Sequence, residues 1–498
     1  MTISTTRIGF AVTILLRVLL VPRDIDTALA LSAGPIPIDG AGWPEKFPAK
    51  SHCSKCGLCE TTFVTQVNDA CAFLGDGMGR IDSMESHVHG RGRDLEDMAW
   101  TAEDGAPPMP NADEARFGVL AQPIALARGV GIQGAQWTGC VTSVALSMLE
   151  ADMVDAVVCI ASGESKDGLS SWSEPEPIVA RTTEEVLRGR GVKPALAPSL
   201  KVLDEIRDDK SIRRLLFCGV GCAVQAFRAV QDSLDLEEVY VLGTNCVDNS
   251  PTPQAARNFL TKGVQVDETK ARGYEFMQDF KVHVKMDDDY IKKPYFCLPG
   301  SVAESAIADS CLACFDYTNA LADVVVGYMG APLDASGKME DTFQTLTVRN
   351  SRGKNMAQVA VDAGRLRFGE EAIGSGSHEK ISTATVASDS IVQAMVGGEV
   401  KEKGLPRFIG EVMAVVMRNI GPKGIGFARY SIDYHILRNY LHILDEWDDD
   451  QTEKAMPRYA RDIINRYLEQ DESFAKLKDN ILAKRTKGKE FGAADSQL

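Results

Sequence analysis

Residues 214–246 read RLLFCGVGCAVQAFRAVQDSLDLEEVYVLGTNC, and the order of patterns in this stretch decides the fold class. The run 214–218 is short, apolar and unbroken, the pattern of a strand covered on both faces. Gly219-Val220-Gly221-Cys222 interrupts it and opens a helix that reaches Val230. A second buried strand follows at 239–242 (VYVL), ending at Gly243-Thr244-Asn245-Cys246. Strand, loop, helix and strand in this order predict an α/β layer with functional loops at the strand ends.

Working outward, 153–160 (MVDAVVCI) reads as a strand behind a helix over 134–149, and 281–285 and 323–327 read as further strands. Thr182 or Thr183 ahead of Glu184 and Glu185 marks a capped helix start. Toward the C-terminus the pattern is mostly helical. An apolar run at 408–417 precedes FARYSIDYHILRNYL from Phe427, whose Tyr430, Tyr434 and Tyr440 read as core. Beyond Trp447 the chain is charged and reads as a solvated helical tail. No internal repeat is visible. The expected organisation is 1–49 presequence and linker, 50–130 Cys- and Gly-rich region, 131–385 mixed α/β core, and 386–498 helical region with its tail.

The chain has 498 residues and a formal net charge of −16. That length calls for more than one ordinary core. That charge argues against nucleic acid or an anionic membrane surface as the main partner. Near the N-terminus Arg7 precedes an apolar stretch over 10–21, broken by Arg17, with Ala28, Ala30 and Leu31 after it. The stretch is too short and too broken to span a membrane and reads as a targeting segment. No other stretch reaches spanning length without charges. The Pro- and Gly-rich residues 34–49 read as the linker that follows.

Twelve cysteines in a chain of this size are not a secreted disulfide framework. Cys53, Cys56 and Cys59 stand at successive two-residue spacings, and Cys71 follows as the nearest fourth sulfur. Three thiolates so close in sequence wrap a loop around an iron–sulfur cubane, whereas structural zinc favours two separated pairs. Cys218, Cys222, Cys246, Cys311 and Cys314 form a scattered second set. Cys218, closing the RLLFC strand, is the one expected to be core. Spacing alone leaves open whether the rest ligate a second cluster or pack as small hydrophobes. Cys140, Cys159 and Cys297 read as inert. Gly219 and Gly221 at a helix start could receive a phosphate. Arg91 and Arg93, after His87 and His89, could hold a pyrophosphate or an anionic substrate group, or simply line a surface loop.

Taken in order, SHCSKCGLC (51–59), ACAFLGDGM (70–78), VHGRGR (88–93), GAQWTG (134–139) and LLFCGVGCAVQA (215–226) are joined by YVLGTNCVDN (240–249), YEFMQDFKV (274–282), SCLACFDYTNALAD (310–323), GYMG (327–330), TVRN (347–350) and FARYSIDYH (427–435). This series resembles the plant and cyanobacterial branch of the coenzyme F420 hydrogenase/dehydrogenase beta-subunit family, from about residue 50 to about residue 470. The resemblance implies FAD, two 4Fe–4S clusters, electrons from reduced ferredoxin, and a chlorophyll-type tetrapyrrole reduced at a 7-hydroxymethyl or an 8-vinyl group. It implies Cys222, Cys246, Cys311 and Cys314 as ligands of the second cluster, with flavin in the 131–385 core. It also implies a plastid location and leaves homo-oligomerisation open. Either reaction needs a general acid, for which Asp316, Tyr317, Asp323, Tyr434 and His435 are candidates. Gln133 stands where the branch's plant members carry an acidic residue. Because ferredoxins are acidic, docking one on this chain calls for a local basic patch, with Lys484, Arg485, Lys487 and Lys489 as candidates. A purely electron-carrying subunit without a pigment substrate is the rival reading.

Overall fold

The computed structural model describes residues 49–101, 113–163, 171–287 and 289–495. The expected targeting stretch and nearly all of its linker lie outside the described residues.

Strands β1 (Ala125–Gly129), β2 (Ala156–Ser162), β3 (Pro175–Ala180), β4 (Arg214–Gly219) and β5 (Glu238–Thr244) come first. A small antiparallel trio follows, β6 (Ala271–Met277), β7 (Lys281–Met286) and β8 (Tyr290–Pro294). Then come β9 (Val324–Gly327), β10 (Gln344–Val348) and β11 (Leu366–Glu371). Apart from the trio, these strands form one sheet of order β11-β1-β10-β9-β5-β4-β2-β3. β2, β4, β5 and β9 run parallel at its centre, and antiparallel pairs flank them. The apolar runs read from sequence are these central strands. Leu215 and Phe217 feed one core and Leu216 and Cys218 the other, because alternate side chains leave opposite faces.

The Cys-rich segment, expected to be loop throughout, turns helical at α1 (Ile81–His89). Gly90 ends that helix with φ +80°, a left-handed cap that glycine adopts at no steric cost. The helix expected from Gly134 starts later, as α2 (Cys140–Glu150), because Gly131, Gly134 and Gly139 all hold positive φ in the loop before it. α3 (Thr183–Arg188) opens on a full capping box between Thr182 and Glu185. α4 (Gly221–Val230) follows β4 as expected, with Phe227 stacked on Phe217 at 4.2 Å. α5 (Asp309–Leu312) and α6 (Ser351–Asp362) flank β9 and β10 in sequence.

The C-terminal part contains α7 (Arg407–Ile420), α8 (Ile425–Glu446), α9 (Arg458–Gln470) and α10 (Glu472–Asp495). The expectation of a solvated tail is corrected here. α9 buries Tyr459, Ile463, Ile464 and Tyr467, and α10 buries Phe474 and Ile481. Arg458, Arg461, Asp462 and Arg466 lie between these positions along α9 and hide its apolar stripe from a composition reading. α8 is buried along most of its length, and one hydrophobic core runs from Leu58 through the sheet to Ile481. No helix of the described residues is long and apolar enough to cross a membrane.

Candidate functional site

The C-terminal ends of β4, β5 and β9 lead into Cys222, Cys246 and Tyr328, the edge where parallel α/β sheets place their sites. All twelve cysteines are free thiols. Cys53, Cys56, Cys59 and Cys71 adjoin one another in the turns before α1. Lys55 and Gly57 take positive φ there and fold the chain sharply between the sulfurs. Burial pushes the Cys56 thiol up to about 12 and Cys71 to about 11, and neighbouring thiolates add to both shifts. Burial also raises Cys53 and Cys59, which lie nearer the surface.

Four sulfurs share a local device. The amide two residues on points at each of them: Lys55 N–H to Cys53 at 3.4 Å, Leu58 to Cys56, Phe73 to Cys71 and Asp316 to Cys314. Amides aimed at sulfur favour the thiolate, the form that binds metal.

Cys222, Cys246, Cys311 and Cys314 face one another from the start of α4, the end of β5 and the α5 turn. Burial pushes Cys311 up to about 12, with Asp248 adding to it, and raises Cys222, Cys246 and Cys314 as well, with repulsion from neighbouring thiolates adding to these three. Cys218 points to the opposite face of β4, beside Cys159. The two sets approach each other at Cys56 and Cys222, where the Ser54 hydroxyl bonds the Cys222 sulfur.

α8 braces the second set. Asn439 Nδ2 donates to the carbonyls of Cys311 and Cys314, both at 2.7 Å, and to Tyr317 Oη at 2.9 Å. Arg438 forks onto Asp248 at 2.7 and 2.8 Å, holding the turn that carries Cys246. Among the described residues no three His, Cys, Asp or Glu side chains converge tightly enough for a single ion. A cubane instead spreads its irons over four separate sulfurs, and two groups of four part-buried thiols, half of them with an aimed amide, fit that demand.

Several expected site residues have other work. Asp323 precedes β9, at the opposite edge of the sheet from the cysteines. It accepts from Val241 N–H and Asn350 at 2.8 Å and pairs Arg352 at 3.0 Å and Arg228 at 3.1 Å, so it is a structural carboxylate rather than a general acid. Arg93 is also corrected: its guanidinium forks onto Glu85 at 2.7 to 3.1 Å and covers the Tyr459 ring, which leaves it no anion to hold. Arg91 binds Glu114 and the Leu120 carbonyl. A Cβ on Gly221 would stand 2.5 Å from Asp316 Oδ2 and one on Gly219 2.7 Å from Phe217, so these glycines serve close packing, Gly221 against Asp316 and Gly219 against Phe217. Asp316 is buried, with Oδ1 taking Ala320 N–H and Oδ2 lacking a hydrogen-bond partner. Tyr317 donates to the Cys314 carbonyl at 2.6 Å, Tyr434 to Asp389, and His435 lies 3.4 Å from Asp248.

A carboxyl to which the sequence reading gave no task emerges instead. Glu275 on β6 accepts from Gln136 Nε2 at 3.0 Å and Trp137 Nε1 at 3.2 Å, and its carboxyl also meets the Tyr328 hydroxyl. Trp137 and Tyr328 stack at 5.0 Å, and Tyr328 lies within electrostatic range of Cys246. GAQWTG, YEFM and GYMG thus meet at one point, but no spacing rule joins segments so far apart in sequence.

Two family models cover the sheet. Residues 127–204 match the coenzyme F420 hydrogenase/dehydrogenase, beta subunit N-terminal model, and residues 212–372 match its C-terminal counterpart. The chloroplastic 7-hydroxymethyl chlorophyll a reductase of Oryza sativa subsp. japonica is 45% identical over 422 residues, covering 84% of this chain and 83% of that protein. An uncharacterized protein of Nostoc sp. is 38% identical, over 84% of this chain and 94% of its own length. The coenzyme F420 hydrogenase subunit beta of Methanococcus voltae is 25% identical, over 47% of this chain and 78% of that protein.

Proposed function

Since the chain belongs to the coenzyme F420 hydrogenase/dehydrogenase beta-subunit family, in its plastid branch, we propose that it is a ferredoxin-dependent iron–sulfur flavoprotein that reduces a chlorophyll-type tetrapyrrole inside a plastid. The substituent reduced is the 7-hydroxymethyl group, which becomes methyl with release of water. The rice relative's name supports that choice. Gln133, in place of an acidic residue just before GAQWTG, favours 8-vinyl reduction as the second reading.

The observation that carries the reading is the gradient of the two thiol sets. Cys53 and Cys59 lie near the surface, where a protein donor could hand over single electrons. Cys222, Cys246, Cys311 and Cys314 are part-buried behind the strand ends and feel stronger desolvation, and Cys56 and Cys222 bring the sets together. Two 4Fe–4S clusters would be held by Cys53, Cys56, Cys59 and Cys71, and by Cys222, Cys246, Cys311 and Cys314. FAD, when bound, supplies a two-electron store between a one-electron donor and a two-electron substrate. The chain's own residues hold the thiolates, brace the inner set through α8, and place the Glu275 carboxyl beside the stacked Trp137 and Tyr328.

The test is anaerobic purification of the full chain with iron, sulfide and flavin analysis. About eight iron and eight sulfide per chain with one FAD are expected, the content of two cubanes. Reduced ferredoxin is then offered 7-hydroxymethyl and divinyl pigments side by side. Zinc in place of iron, or no turnover of either pigment, overturns the reading.

A further inference from the structure

Converting a hydroxymethyl group to methyl requires a proton for the departing oxygen, because hydroxide leaves poorly. Most candidate acids around the inner thiols are engaged elsewhere, and Asp316, whose Oδ2 has no partner, is shut in against Gly221. Tyr317 bonds a carbonyl, Tyr434 bonds Asp389, and Asp323 lies at the far edge of the sheet. Glu275 differs in place and in company. It stands on the β6–β8 trio where that trio meets the loop before α2, with an indole N–H and an amide N–H on one oxygen. We propose that Glu275 is the proton donor of this enzyme, protonating the departing oxygen of a hydroxymethyl-bearing macrocycle. This assignment rests on the reductase reading above.

In the step, the carbon–oxygen bond breaks and a carbon–hydrogen bond forms with a hydride equivalent from the reduced flavin. The oxygen takes the Glu275 proton and leaves as water. The substrate gains two electrons and the flavin gives up two. Glu275 remains as carboxylate and is reprotonated from solvent.

The surroundings suit that cycle. Burial pushes the Glu275 carboxyl up to about 7, against the opposing pull of the Trp137 and Tyr328 hydrogen bonds. A carboxyl poised near neutrality can both give and regain its proton. Tyr328 faces it from behind β9, Tyr295 from beyond β8, and Tyr274 adjoins it on its own strand. His283, its register partner on β7, is bound to Asp279 at 2.9 Å, and Lys285 is turned to the Ala135 carbonyl and Glu340. Among the described residues no lysine or arginine forms an ion pair with Glu275, so no cation pulls its proton off.

The experiment compares wild type, Glu275→Gln and Trp137→Phe as holoenzymes with 7-hydroxymethyl chlorophyll a and reduced ferredoxin. Glu275→Gln is expected to lower kcat about 100-fold or more while flavin reduction by ferredoxin keeps its rate. In pigment-free holoenzyme, infrared difference titration should show a carboxyl stretch that disappears near neutral pH in wild type and is absent in Glu275→Gln. Trp137→Phe keeps the ring but removes one hydrogen bond to the carboxylate. The alkaline limb of its rate profile should therefore rise by about half a unit, and this variant carries the test where Glu275→Gln does not fold. Full turnover by Glu275→Gln, or an alkaline limb that Trp137→Phe leaves in place, overturns the donor assignment alone. A wild type that reduces no pigment overturns the parent reading and this assignment with it.

Discussion

Asn439 shows how a single side chain can brace the turn of the proposed inner cluster. Its amide group donates to two carbonyls in the Cys311–Cys314 turn and to the Tyr317 hydroxyl. Replacing it with leucine keeps the volume but removes the donor that ties α8 to the Cys311 and Cys314 carbonyls and to Tyr317. Losing those bonds costs about 1 kcal/mol or more and loosens the turn that sets the spacing of two thiols. Asn439→Leu is therefore expected to retain the outer cluster and lose the inner one. Iron should fall from about eight to about four per chain, with flavin content as the control. Unchanged iron would show that the turn holds itself. The outer set was legible in the sequence because its three leading cysteines sit within seven residues. The inner set was only half legible, since its members come from three elements and a fifth cysteine competed for a place. The β4 pleat that turns Cys218 away from the others is a fact of register, and no spacing rule contains it. Glu275 was not legible at all, because its partners lie on a loop more than a hundred residues upstream and behind a strand some fifty residues downstream.

At the scale of elements, α8 is a buried helix that carries charge, and its buried Arg429, Asp433 and Arg438 are each paired. Arg116 lies between Asp113 at 2.9 Å and Asp433 at 2.6 Å, with His378 and Tyr467 also bonded to Asp433. Burial alone would raise the Asp433 carboxyl, but the Arg116 guanidinium and His378 hold it well below the usual carboxylate range. A depressed folded pKa gives stability that is present above the unfolded value near 4 and lost as pH falls below it. Arg116→Met should cost about 3 kcal/mol or more, because it leaves buried carboxylates unpaired. It should also move acid unfolding to higher pH, because less stability remains to be lost as the other carboxylates protonate, while the Asp433 share of the acid dependence shrinks. Helical circular dichroism followed against pH checks both effects. If Arg116→Met unfolds at the wild-type pH, the pair does not hold α8. This layer explains why the sequence announced α8 as a helix but not as the buried spine of the molecule. Arg429, Asp433, Arg438 and Asn439 look like a solvated face until their partners from other segments are in place. The β4–α4–β5 unit had no such ambiguity, because strands covered on both faces must be apolar throughout.

At the scale of the whole molecule, the tail closes the same core that holds the thiols. Lys484 and Arg485, expected to form a docking patch for an acidic donor, are tied to the chain itself, although Lys484 stays exposed. Lys484 donates to the Met395 carbonyl, and Arg485 to the carbonyls of Leu444 and Trp447 at the end of α8. A helix leaves its last carbonyls without partners, and a cation there satisfies them. α10 thus caps the helix whose middle carries Arg438 and Asn439, and Phe474 and Ile481 fill the gap between α8 and α9. Ending the chain after Gln470 would expose two large buried side chains' worth of apolar surface, a loss of about 5 kcal/mol. It would also leave the end of α8 to fray toward the inner thiols. The truncated protein is expected to melt well below the full chain and to bleach its iron–sulfur absorbance before its helices unfold. Charge reversal at Lys484 alone should lower the melting temperature slightly and leave the ferredoxin concentration dependence of turnover unchanged. A large rise in the ferredoxin KM of that variant would return the tail to the role of docking surface. A truncated chain that kept full stability would show that the core closes without α10.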